Sequence, residues 1–291
     1  MTPGIVAAAL AAVVLWGASP VAAKIAVLSL SPMSVVLFRT VVGGLAALPL
    51  VLAMQIPLPR PRRQKQLLVV SGFCGFVAFP VLFTIGIDLT SANHASMILA
   101  CLPIFTGAIA MAWDRRLPKP LWWSGCIVAL VGELLLVSTY NAGGSAASSV
   151  AGDGLVLVSN GFASLGYVAG GRLQRQGYPA AGTTFWGVTI FAVVLLPFVP
   201  FVAAEVDVQA VPFEAWASAV YLAIGVTIVG YVLWYRALGK GGIERVGLFQ
   251  FLQPVSGVVL AWLLLGEQLN LTFFTASGLI LLGVWFALKA G

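Results

Sequence analysis

This sequence is poor in the residues that usually do chemistry. It has one histidine, three cysteines and nine acidic side chains in 291 residues. A single histidine, with no cysteine or carboxylate at ligand spacing, gives a metal site no support. Cys74, Cys101 and Cys126 all lie inside apolar runs, where they read as small buried side chains rather than a disulfide framework. There is no glycine-rich phosphate loop in a strand–loop–helix setting and no polar stretch long enough for a soluble domain. Nucleotide-driven work by this chain alone is therefore not expected, and no cofactor is implied. An intramembrane serine hydrolase would have only His94 as its base, and Ser19 and Ser164 have no motif around them. An enzyme is not the expectation.

What the chain does have is apolar length. Hydrophobic residues make up 60% of it against 8% charged, and the mean hydropathy is +1.04. Runs of about 20 apolar residues recur throughout, each long enough to cross the hydrocarbon core as a helix. Ten spans are expected: 4–29, 32–55, 67–87, 91–112, 120–139, 153–173, 180–203, 213–236, 243–265 and 270–288. Helices follow because lipid offers no partner to an open backbone, and the runs lack the alternation of barrel strands. No Lys or Arg precedes the first run, so it reads as a retained helix rather than a signal peptide.

The charges orient the spans. Arg60, Arg62, Arg63, Lys65, Arg115, Arg116, Lys119, Arg172, Arg175, Arg236, Lys240, Arg245 and Lys289 all fall in alternate gaps or the tail, 13 of the 15 basic residues. The positive-inside rule makes that side cytoplasmic, with both termini inside. Asp88, Asp153, Glu205, Asp207, Glu214 and Glu267 lean to the other side. The net charge of +6 thus reflects membrane anchoring, not nucleic-acid binding.

The Gly/Ser/Ala-rich segment 141–152 divides the chain near its middle, leaving five spans in 1–140 and five in 153–291. An odd number of helices per half inserts the second half upside down, the inverted-repeat plan of many secondary transporters. At an offset of 151, Pro103 matches Pro254, Ala110 matches Ala261, Leu130 matches Leu281 and Gly132 matches Gly283.

Leu15-Trp16-Gly17-Ala18-Ser19-Pro20-Val21-Ala22-Ala23-Lys24 resembles the first-helix signature of the EamA-type families of the drug/metabolite transporter superfamily. Phe38-Arg39, Leu102-Pro103-Ile104-Phe105, Leu252-Gln253-Pro254-Val255 and Leu265-Gly266-Glu267-Gln268-Leu269 fit the same families in the same order, across nearly the whole chain. Within the superfamily the chain is most similar to the bacterial amino-acid exporters called YddG. One departure is Arg115-Arg116-Leu117, which stands where the second half has Gly266-Glu267-Gln268. The resemblance implies a multi-pass inner-membrane secondary transporter that exports aromatic and other neutral amino acids, and related amphipathic metabolites, by alternating access. Its partners would be the amino-acid substrate and the bilayer, with a monomer as the default. Multidrug and sugar-phosphate or nucleotide-sugar carriers of the superfamily are the alternatives. The first would want a central carboxylate, the second several midplane cations.

Polar and aromatic stripes mark the expected cavity. Asn160, Ser164 and Tyr167 share one helix face, Thr227, Tyr231 and Trp234 another, and Gln250 and Gln253 a third. Trp16, Phe79, Phe83 and His94 add aromatic and titratable surface, and Pro20, Pro80, Pro103 and Pro254 each remove one helix N–H. Static helix contacts would produce the same stripes and kinks. The first, third, fourth, sixth, eighth and ninth spans are expected to form the cavity, with the fifth and tenth peripheral. Lys24, Arg39 and Glu133 are the ionisable groups at depth. Lys24 could snorkel to the interface or act in gating. Arg39 and Glu133 could pair, although the leucines after Glu133 suggest a largely lipid-facing helix.

Overall fold

The computed structural model describes residues 1–90, 95, 98–140, 149–257, 259 and 271–290, and within them the chain is helical with no strand. We label the helices α1 (Pro3–Val27), α2 (Pro32–Ala53), α3 (Arg62–Leu89), α4 (Leu102–Trp113), α5 (Pro120–Tyr140), α6 (Val150–Arg175), α7 (Ala180–Ala203), α8 (Phe213–Gly241) and α9, which opens with Ile243–Gly247; α10 is Leu271–Ala290. Seven of these, α1 to α3, α6 to α8 and α10, are long and apolar enough to cross a membrane, and α4 and α5 are shorter apolar helices. This is a helical membrane protein. His94, Glu267, Ala261 and most of the segment 141–152 lie outside the described residues.

Local chemistry sets where the helices start and bend. Ser31 caps α2, its hydroxyl accepting from the Ser34 N–H at 3.2 Å, with Pro32 in the first turn where no N–H is needed. In α1 the ladder breaks at Ala18, ahead of Ser19-Pro20. α3 widens into a π-turn over Cys74–Ala78 before Pro80, and α8 is π-helical over Tyr221–Gly230. α9 tightens to a 3-10 stretch over Leu248–Leu252 before Pro254. Each departure releases backbone carbonyls inside an apolar protein, where an unmet carbonyl is costly.

The helices pair in a regular way. α5 lies against α10 and α2 against α7, while α3 runs along α6 and α1 along α8, and these four pairs hold the most extensive contacts. The α5–α10 pair has its own apolar cluster, including Trp122, Cys126, Leu136, Phe273 and Ile280, apart from the main core around Trp16, Tyr167, Tyr231 and Trp234. The outer faces carry large apolar side chains such as Leu45, Phe201 and Leu281, as lipid contact requires.

The charged gaps gather at two ends. Gln64 bonds the Gln176 carbonyl, Arg172 reaches Asp114, and Arg116 reaches Glu244, so the Arg- and Lys-rich gaps meet at one end, here the basic end. At the opposite end Thr90 donates to Asp153 at 2.7 Å.

α5 and α10 touch through glycine. A Cβ built on Gly125 would lie 2.6 Å from the Gly283 carbonyl oxygen and 2.5 Å from the Ala287 nitrogen, both rigid backbone. Gly125→Leu is expected to destabilise the fold by about 1–3 kcal/mol, read as a lower melting temperature in detergent. An unchanged melting temperature would show that the two helices do not pack this closely.

Candidate functional site

Polar and aromatic side chains converge where the π-turns of α3 and α8 face the break in α1. Trp16 is the hub. Its indole N–H donates to the Val226 carbonyl at 3.1 Å, inside the π-helical stretch of α8. Its ring stacks on Tyr167, with centroids 5.4 Å apart and planes 14° from parallel, and meets Tyr231 and Trp234 at tilted angles, each at 5.3 Å. Tyr231 donates its hydroxyl to the Gly75 carbonyl at 3.1 Å, in the π-turn of α3. Thr40 donates to the Phe76 carbonyl at 2.9 Å, the acceptor that Pro80 cannot serve. Tyr221 bonds the Leu15 carbonyl, tying α8 to α1 again.

Beside these groups lies a cavity of about 20 Å³, lined by Trp16, Ser19, Arg39, Phe79, Phe83, Leu99, Leu102, Tyr167, Val226, Tyr231 and Gln253. That is room for about one water molecule. Among the described residues Arg39 is the one charged side chain in the lining. It is only 4% exposed. Its Nε donates to Thr227 Oγ1 at 2.7 Å, and its Nη2 is buried with no hydrogen-bond partner. A buried guanidinium with an unmet donor is primed for an acceptor, and a carboxylate is its best match.

Of the residues expected from sequence, Trp16, Phe79, Phe83, Tyr167, Tyr231 and Gln253 line the cavity. Asn160, Ser164, Thr227, Trp234 and Gln250 stand one layer behind. Asn160 donates to the Ile98 carbonyl at 2.7 Å, and Thr106 bonds both Ser164 and Gln250, joining α4, α6 and α9. Pro20 and Pro103 are buried next to lining residues Ser19 and Leu102 but do not themselves line the space.

The lining also takes in α2, through Arg39, because packing on α8 turns its inner face to the cavity. Three expectations need correction. Arg39 and Glu133 do not pair: Arg39 takes Thr227 instead, and Glu133 Oε2 is buried without a partner. Glu133 is also not on a lipid-facing surface, being 2% exposed, since Val131 and Leu134 take the lipid side of α5. Lys24 does not snorkel. Its ammonium donates to the Ile87 and Thr90 carbonyls at 2.8 and 2.9 Å, capping the end of α3.

Asp114 and Glu244 were passed over in the sequence, and they close the basic end. Arg172 donates to Asp114 at 2.5 Å, while Arg116 bonds Glu244 at 2.5 Å and Asp114 at 3.3 Å. Arg172 also lies over the Trp113 ring, 5.1 Å from its centre. The signal was available: these two acids break the charge asymmetry by standing on the basic side. The hydrogen bond from Arg172 holds the Asp114 carboxyl below the usual carboxylate range, and Glu244 pushes the Arg116 guanidinium further up.

A model of the EamA-like transporter family matches residues 3–138 and again residues 150–289. The chain belongs to the EamA-like transporter family. It is 29% identical over 260 residues to an uncharacterized transporter, YdeK, of Bacillus subtilis, covering 89% of this chain and 88% of that one. It is 26% identical over 291 residues to a probable amino-acid metabolite efflux pump of Salmonella typhimurium, covering 95% and 92%. A solved crystal structure superposes with a TM-score of 0.77 at 17% identity, over 98% of each chain, a likeness of fold.

Asp114→Asn removes the shared acceptor of Arg172 and Arg116, so it is expected to open the basic end. The reporter is a Ser19→Cys substitution in the cavity lining, labelled from the basic side with an impermeant thiol reagent; labelling is expected to quicken several-fold. A carboxylate with a depressed pKa contributes its stability above its unfolded value of about 4 and loses it as pH falls through the folded one. Labelling without the mutation, corrected at each pH for the thiolate fraction, should therefore stay flat from about pH 5 to 8 and rise only in stronger acid. Equal rates with and without Asp114→Asn would show that this network is not a seal.

Proposed function

We propose that the chain is a secondary carrier that exports neutral amino acids, aromatic ones included, and related small amphipathic metabolites across the bacterial inner membrane. The observation that carries the reading is Arg39, a buried cation with an unmet donor among aromatic walls. Its guanidinium would take the substrate carboxylate as a charge-assisted pair, while Trp16, Tyr167, Tyr231, Phe79 and Phe83 would take an apolar or aromatic side chain. Gln253 and Ser19 supply neutral hydrogen-bonding groups for the amino end. A cation in the lining works against an organic-cation substrate, and a single cation is too few for a sugar phosphate. The printed name of the Salmonella relative points the same way.

The mechanism is alternating access in ten spans, as two inverted five-helix repeats within 1–140 and 153–291, joined by an external linker, with both termini cytoplasmic. Four observations support it. The family model fits the chain twice. α2–α7 and α5–α10 are the self-pairs that a twofold between halves would make, and α3–α6 answers α8–α1. The π-turns fall in α3 and α8, which the repeat makes equivalent. The central cavity is too small for an amino acid in this form, and ties stand toward both ends, Lys24 on one side and the Asp114–Glu244 network on the other. Under alternating access one tie would break before substrate enters and the other before it leaves.

Counterflow in proteoliposomes tests the reading. Vesicles preloaded with unlabelled phenylalanine, methionine or threonine are expected to accumulate the matching labelled amino acid transiently. Arg39→Gln should raise the half-saturation constant by roughly 10- to 100-fold, the cost of losing a hydrogen bond to a charged group, while the matching decarboxylated amines are affected far less. Tyr231→Ala and Gln253→Ala should each weaken uptake. No exchange of any amino acid by folded protein would sink the substrate assignment, and unchanged kinetics in both of the last variants would sink the cavity.

A further inference from the structure

A second cavity, of about 400 Å³, opens at the basic end between the α4–α5 loop, the head of α9 and the last turns of α10. It plays no part in the transport site. Its polar wall is Arg116, Lys119, Arg245 and Glu244, three cations to one carboxylate, and its apolar wall includes Leu248 and Ala287. Trp122 also lines it; this side chain is 3% exposed, and its indole N–H has no hydrogen-bond partner. Lys119 is exposed, and its ammonium has no hydrogen-bond or ion-pair partner among the described residues. Three cations to one carboxylate, with one ammonium unpaired, call for an anion with acceptor oxygens.

The surroundings say which anion. Leu117, on the same loop, is 93% exposed, and Trp113, Trp123 and Trp285 are partly exposed nearby in sequence on α4, α5 and α10. Lys289 lies over Trp285 at 5.3 Å. Exposed tryptophans and cations at helix ends mark the headgroup level of a bilayer. A free phosphate has no use for an apolar wall or for an exposed leucine beside it, whereas a lipid uses both.

We propose that this cavity holds the phosphodiester headgroup of an anionic phospholipid of the inner leaflet, with the Lys119 ammonium as its free donor. Arg116 connects it to the seal, since the same guanidinium binds Glu244 and Asp114. A phosphate at the cavity competes with Glu244 for Arg116 and so loosens the basic end. Placing the lipid in the inner leaflet rests on the orientation proposed above; the binding itself does not.

Binding is read first, by native mass spectrometry of the full chain in detergent with phosphatidylglycerol or phosphatidylcholine. Phosphatidylglycerol is expected to be retained in preference. Lys119→Gln should lower its occupancy constant about fivefold, the worth of one cation near an anionic headgroup. Millimolar inorganic phosphate should not displace the lipid. Equal retention of the two lipids, or no loss with Lys119→Gln, overturns the proposal, and displacement by inorganic phosphate makes the site a free-phosphate site, which overturns it too. Counterflow is then compared in vesicles with and without phosphatidylglycerol. Stimulation of the unaltered chain that Lys119→Gln abolishes is the expected result, and equal stimulation of both overturns the link to the seal. Failure of the unaltered chain to exchange substrate in any vesicle counts against the transport reading and leaves the binding measurement to stand by itself.

Discussion

Backbone carbonyls in a low-dielectric interior must be met, and this structure depends on how that demand is answered. The π-turns of α3 and α8 near the centre have side chains assigned to their carbonyls. Thr40 takes the Phe76 carbonyl below Pro80, Tyr231 takes Gly75, Trp16 takes Val226, and Thr227 takes Leu222 within α8. Lys24 takes the last carbonyls of α3. Most of these bonds join different helices, so the same contacts that let irregular backbone exist in an apolar core also hold the helices in register. They orient the rings as well. Trp16 and Tyr231 face the cavity because their polar tips are anchored to the backbone of a neighbouring helix.

The seal at the basic end is of another kind. Arg116 is more than half exposed, so its pairs with Asp114 and Glu244 are screened by water and salt, and each is worth little. Weak ties suit a part that must open. The aromatic centre is closed by burial, and the ends by contacts that water can replace. Such a division lets the ends move while the packing behind them stays intact.

The spans were legible because lipid leaves few alternatives to an apolar run of 20 residues. The stripes on the α6 and α8 faces were legible too, since polar residues at i, i+4 and i+7 have one face to share. Whether a stripe residue touches the cavity or stands behind it was not: Tyr167 and Asn160 lie on one stripe, yet only Tyr167 reaches the lining. Arg39 was seen as a charge in need of a partner, but the partner is the Thr227 hydroxyl, which no pairing rule for charges would select. The π-turns were invisible, because no residue pattern in Cys74–Ala78 or Tyr221–Gly230 separates a π-turn from an α-turn. Asp114 and Glu244 stand on the basic side, against the lean of the other acids, and their pairing with Arg172 and Arg116 joins gaps that are far apart in the chain.

The π-helical stretch of α8 has a consequence for how this sequence can vary in length. A π-turn holds one residue more than an α-turn. Losing one residue from Tyr221–Gly230 would let the helix return to regular α geometry, and the turn itself would absorb the loss. Tyr231, Trp234 and Tyr235 would then keep the face they share with Trp16 and Gly75. What a tighter turn would take back is the open carbonyl of Val226, the acceptor that holds the Trp16 indole. The extra residue therefore serves the anchoring of one ring in α1 rather than the register of the wall in α8.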